Sequence, residues 1–99
     1  MNKLEFIHKL LTDLLTMKNR IEKKLQEKFH PSFLEVKNNS HLHSGHIGDD
    51  GSGETHFAIT IKSAEFEGLN KVQAHRKINE IVKDEMARGL HALEIKILS

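Results

Sequence analysis

Between Phe57 and Leu98 the hydrophobic period of this chain changes from two to about four and back to two. Phe57, Ile59 and Ile61 alternate with Ala58, Thr60 and Lys62, and Leu93, Ile95 and Ile97 alternate with Glu94 and Lys96. Each alternation puts one apolar set on a single face of a strand, Phe57–Lys62 and Ala92–Leu98. The segment between them, Leu69–Arg88, gathers Val72, Ile78, Val82 and Met86 on one helical face. Lys77, Glu80, Lys83 and Asp84 lie mostly off that face, and Gly89 supplies a C-cap. Two strands joined by a helix are most simply parallel, with a right-handed crossover. His75 falls near the centre of the apolar face and is expected to be a hydrogen-bonded core histidine.

Upstream, Met17, Ile21, Leu25 and Phe29 recur every four residues and write one stripe on a helix, with Arg20, Lys23, Lys24 and Lys28 on its other faces. Pro31 stops that helix, because the residue before a proline is pushed out of helical geometry. Phe33–Lys37 reads as a strand, pairing antiparallel with Phe57–Lys62. The order is α-β-β-α-β, an α+β fold with helices over one face of a three-stranded mixed sheet and polar residues on the open face. Leu4, Ile7, Leu11 and Leu14 also stand at helical spacing, so residues 1–16 are expected to be a helical extension of a domain spanning 17–99. Asp13 and the lack of a small-residue cleavage site argue against a secretory signal.

With 99 residues there is room for one domain, and with no cysteine there is neither a disulfide nor a thiolate metal site nor a cysteine nucleophile. A formal charge of +1 argues against a general polyanion binder. No apolar run approaches the ~18 residues of a membrane span. The sequence carries no P-loop, nucleophile elbow or dinucleotide fingerprint, so no enzymatic activity is expected. The expected location is cytoplasmic.

The connection Asn38–Thr55 is too long for an ordinary hairpin and holds glycines at 45, 48, 51 and 53. It also carries His41, His43 and His46, with His56 opening the next strand, in a chain that has eight histidines. Neutral imidazole binds borderline metals, so the loop can be read as a store of ligands or as solvated polar chain. Spacing alone does not choose between them. Asp49 and Asp50 make its tip acidic, and Glu54, Thr55 and His56 are expected to fix its return into the strand. His91 follows Gly89 at the mouth of the last strand, where side chains can converge.

Three blocks in order, HSGHIGDDGSGETHF (His43–Phe57), FEG with AHRKINE (Phe66–Gly68, Ala74–Glu80) and GLHALEIKIL (Gly89–Leu98), resemble the BolA family. The likeness runs over Met17–Leu98. It implies a class II KH-like α-β-β-α-α-β fold, in which the turn around Phe66–Asn70 counts as its own helix. It also implies an adaptor that binds a monothiol glutaredoxin and shares a bridging 2Fe–2S cluster with it and glutathione, in iron–sulfur trafficking or iron sensing. The implied ligands are His91 and, from the loop, His46, with His43 and His41 as substitutes. Imidazole in place of thiolate raises a cluster's potential. Purified alone, the chain is expected to carry no cofactor and to be a monomer or weak homodimer. The alternative the resemblance implies is a DNA-binding regulator of stress and morphology genes. Lys71, Arg76, Lys77 and Lys83 would then touch phosphate, although Glu65, Glu67, Glu80 and Asp84 lie among them. The GXXG clamp of KH domains is reduced here to a single glycine in Glu67–Asn70.

Overall fold

Thr16 opens the first helix, α1 (Met17–Phe29), its side-chain oxygen accepting from Asn19 N at 3.2 Å. The computed structural model describes residues 2–7, 16–43 and 53–99, apart from the side chains of Leu42 and His43. Met17, Ile21, Leu25 and Phe29 are all buried, as their spacing predicts. Each contributes roughly 1.5–3 kcal/mol by leaving water. The helix ends as His30 turns left-handed (φ 44°) and donates to Gln26 O at 3.0 Å, just before Pro31. Residues 3–7 form a helical turn on which Leu4, Phe6 and Ile7 are exposed. Leu11 and Leu14 lie outside the described residues.

The sheet has the order β1–β2–β3. β1 (Phe33–Asn38) runs antiparallel to β2 (His56–Lys62), with Val36 opposite Ile59. β3 (Ala92–Ile97) runs parallel to β2, with Ile95 opposite Ile59. Val36, Phe57, Ile59 and Ile61 join the α1 stripe, Phe66, Ala74, Ile78, Val82 and Leu90 in one core. Glu35, Lys37, Glu94 and Lys96 are exposed on the other face, which is the polar face the alternation predicts.

The region between β2 and β3 differs from the single helix Leu69–Arg88 expected of it. A 3-10 turn, Ala64–Phe66, is followed by Gly68 at φ 78° and by α2 (Lys71–Ile81). No atom crowds a Cβ at Gly68, so glycine is favoured there by backbone conformation rather than space. Asn70 and Gln73 form a reciprocal capping box, Asn70 Oδ1 accepting from Gln73 N at 2.8 Å and Gln73 Oε1 from Asn70 N at 3.0 Å. At Val82 (φ −101°, ψ 15°) the helix breaks, and α3 (Lys83–Ala87) begins. Glu85, seven residues after Ile78 and three after Val82 and so on their side of the helix, is fully buried, while Met86 is 36% exposed. Val72, in the first turn of α2, is 59% exposed. Both were expected in the core. Ile78 and Val82 are in the core as expected, joined by Ala74, whereas Val72, six residues from Ile78, lies about 120° round the helix from it. Next to Met86, Glu85 takes the core-facing position, paired with Lys24 and Arg20 of α1. His75 departs from its expectation too: it is half-buried, and its Nε2 has no hydrogen-bond partner.

Candidate functional site

His91 is set by the way α3 ends. Gly89 takes φ 125°, its N–H donates to Met86 O at 3.4 Å, and Leu90 N–H donates to Glu85 O at 3.0 Å. That is a Schellman motif, and its hydrophobic anchor, Leu90, is buried. The Gly89 cap expected from sequence is therefore present. The next residue, His91, donates its N–H to Thr55 O at 2.7 Å, and Ala92 N–H reaches the same oxygen at 3.1 Å. His91 is thus fixed at the mouth of β3 against the loop's point of return, with its side chain exposed.

The loop's return is clasped by Ser40, in a 3-10 turn (Ser40–His43) that follows β1. The buried Ser40 Oγ accepts from Thr55 N at 2.9 Å and His56 N at 3.0 Å, and donates to His56 O at 3.3 Å. Asn38 Nδ2 donates to Gly53 O at 2.7 Å. Glu54 Oε1 accepts from Met17 N at 3.3 Å, putting an anion at the N-terminus of α1, whose own first turn has no acidic residue. The expectation that Glu54, Thr55 and His56 anchor the return holds, but sequence did not reveal that the partner is Ser40. A buried N–H left without an acceptor costs ~1–3 kcal/mol. Ser40→Ala, which strands two, is expected to lower stability by ~2 kcal/mol in urea denaturation. It should also speed exchange of the Thr55 and His56 amides.

His56, expected at the strand's start and in the loop's return, proves also to be the neighbour of His91. The two rings lie 5.3 Å apart, centroid to centroid, at 51°. His56 is buried, and its Nδ1 is 2.8 Å from Thr55 Oγ1. The only forward signal was its position next to Thr55. His41 is exposed in the 3-10 turn. His46 and the side chain of His43 lie outside the described residues. Among the described residues no three histidine or carboxylate groups converge on a point that could hold a metal ion.

Lys71, Arg76, Lys77 and Lys83 are all exposed. At about 100° per residue the three cations of α2 point in different directions rather than forming one stripe. Lys83 donates to Glu80 Oε1 at 3.0 Å, and this carboxylate raises the ammonium pKa above its ordinary value.

Around one mixed sheet, then, the chain sets an exposed histidine at the mouth of β3 against the clasped return of a histidine-bearing loop, which defines a small α+β domain. A family model described as BolA-like protein matches residues 25–99, and the chain belongs to the BolA family. It is 48% identical over 83 residues to an uncharacterised Sinorhizobium protein, covering 83% of this chain and 89% of that one. It is 35% identical over 85 residues to the DNA-binding transcriptional regulator BolA of Haemophilus influenzae, covering 86% and 79%. Among solved structures it is similar to BolA1 from Arabidopsis thaliana, with TM-score 0.74 and 38% identity over 83% of this chain and 89% of that one. Among the described residues no helix is long and apolar enough to cross a membrane.

Proposed function

We propose that this chain is a non-enzymatic adaptor that lends imidazole nitrogen to a 2Fe–2S cluster whose sulfur ligands come from a monothiol glutaredoxin and glutathione. The observation that carries the reading is the exposed side chain of His91 on a backbone tied to Thr55 O at 2.7 Å, in a chain with no thiol of its own. The donor set fits half of such a centre. Clusters of this type take four ligands, and histidine replaces cysteine on one iron in Rieske centres. His91 would hold the cluster with His46, and His43 or His41 would serve in its place. The few residues between Ser40 and His46 span on the order of 20 Å when extended, so chain length allows His46 to reach the His91 side of the sheet. When bound, the cluster supplies one-electron chemistry at a potential raised by nitrogen ligation. His91 and the loop supply orientation, and the cytoplasm is the proposed setting.

The test is mixing. This chain, combined with a cluster-loaded monothiol glutaredoxin, is expected to give a coloured 1:1 heterodimer whose visible circular dichroism differs from that of the glutaredoxin alone. Co-elution without a spectral change, or no co-elution, would refute the ligand role.

A second reading is favoured by the name of the Haemophilus relative, a DNA-binding transcriptional regulator. In that reading Lys71, Arg76 and Lys77 neutralise phosphates, with Lys83 held back by Glu80. Three such contacts predict an affinity loss of roughly 40-fold between 50 and 200 mM salt, measured by anisotropy on a duplex. Binding that ignores salt, or that survives alanine at all three positions, would dismiss this reading.

A further inference from the structure

β3 has a strand on one side only among the described residues. Its other edge offers unpaired backbone groups, and the ladder shows which ones. Ala92 N donates to Thr55 O and Leu98 N to Ile61 O, so the even-numbered residues turn their N–H and C=O toward β2. The groups of Leu93, Ile95 and Ile97 therefore point to the open edge. Their side chains, on the core face, are only half-buried. On the opposite face Glu94 and Lys96 are exposed and make no ion pair among the described residues.

We propose that the free edge of β3 is a homodimer surface, pairing antiparallel with β3 of a second copy about a two-fold axis at Ile95. Directly opposite residues in an antiparallel pair share a face, so only registers that keep apolar opposite apolar bury both cores. Charge selects among those. Centring on Ile95 sets Glu94 opposite Lys96 of the second copy, and Lys96 opposite its Glu94. A shift of one residue either way sets Glu94 against Glu94 or Lys96 against Lys96, which is unfavourable. In the chosen register Ile95 faces Ile95 and Leu93 faces Ile97. The outward N–H and C=O of all three residues find partners. Next to Ile97 a groove of about 190 Å³, lined by Phe66, Leu69, Asn70, Lys71 and Ala74, gives the incoming Leu93 a place to bury.

The other sheet edge repeats the charge pattern in Glu35 and Lys37, but there the two carry a 3.6 Å ion pair and the residue between them, Val36, is already buried. β3, with its charges unpaired among the described residues and three apolar side chains half covered, has more to gain. A natural edge strand usually carries charge that repels a second edge. Here the charge is self-complementary.

Sedimentation equilibrium on the whole chain up to about 1 mM tests the proposal. The unaltered chain should dimerise. Glu94→Lys alone and Lys96→Glu alone should each weaken the dimer about tenfold, because symmetry turns two attractive pairs into two repulsive ones. The double exchange Glu94→Lys with Lys96→Glu should restore it. Hydrogen exchange reads the register independently: the amides of Leu93, Ile95 and Ile97 should slow with concentration, while those of Glu94 and Lys96 should not. A monomer at every concentration overturns the proposal. So does a dimer indifferent to the reversals, or one that leaves those three amides unprotected.

Discussion

His91→Ala is expected to cut the yield of coloured heterodimer with a cluster-loaded monothiol glutaredoxin at least about tenfold. Loss of an outer-shell partner alone commonly costs 10–100-fold in metal affinity, and a direct ligand should cost no less. The fold should not notice. The side chain is exposed, and the bond that places it runs from the backbone N–H to Thr55 O at 2.7 Å, which alanine retains. Exposed substitutions of this kind change stability by about 0.5 kcal/mol or less. Thermal melts of the variant should therefore overlay those of the parent while the visible dichroism collapses. His46→Ala should have a smaller effect, because His43 and His41 stand near it in the same loop. An unchanged spectrum in both variants would remove the nitrogen-donor role from these residues.

Lys24→Met is expected to lower stability by ~3 kcal/mol, at the low end of the range for breaking a buried ion pair. The Glu85 carboxylate is fully buried. Lys24 Nζ lies 2.7 Å from one of its oxygens and 2.9 Å from the other, and Arg20 Nη2 is 3.6 Å away. Methionine would keep the stem's packing but leave the anion with Arg20 alone. The lysine side chain is 32% exposed, so solvent screens part of the attraction, which places the cost at the low end. For a domain of this size the loss corresponds to a drop in Tm of roughly 15 °C. Lys24→Met with Glu85→Leu should regain most of it, since a buried apolar pair is often as stable as the ions it replaces. A double-mutant cycle in urea measures the coupling. A neutral Lys24→Met would mean that Lys24 does not hold the carboxylate and that Arg20 suffices.

The same cluster marks where the sequence stopped being legible. Strands β1 to β3, the α1 stripe and the parallel pairing follow from periods of two and four, which backbone geometry imposes locally. The break at Val82 does not. Glu85 is charged, and a charged residue four positions from Ile81 reads as solvent face until the cations of another helix are known to lie across from it. Val72 and Met86 are apolar enough for the core, yet Val72 stands about 120° round the helix from Ile78, and Met86 about 100° from Glu85, which takes the core-facing position. At the site, Gly89 gave away the chain reversal before His91, because the left-handed region at that step favours glycine. The clasp by Ser40 and the closeness of His56 to His91 depend on which strand ends lie side by side. Ser40 and Thr55 carry no local signal of each other.

That clasp has a consequence for how such a domain changes over time. Because one hydroxyl joins the two ends, the entropy of closing the segment between them is met at the base, whatever the segment contains. Lengthening a closed loop adds only slowly to its cost. Residues between positions 43 and 53 can therefore be replaced, inserted or removed while the sheet beneath keeps its register. What the loop presents is free to vary in kind and in reach, and the scaffold beneath it need not be rebuilt.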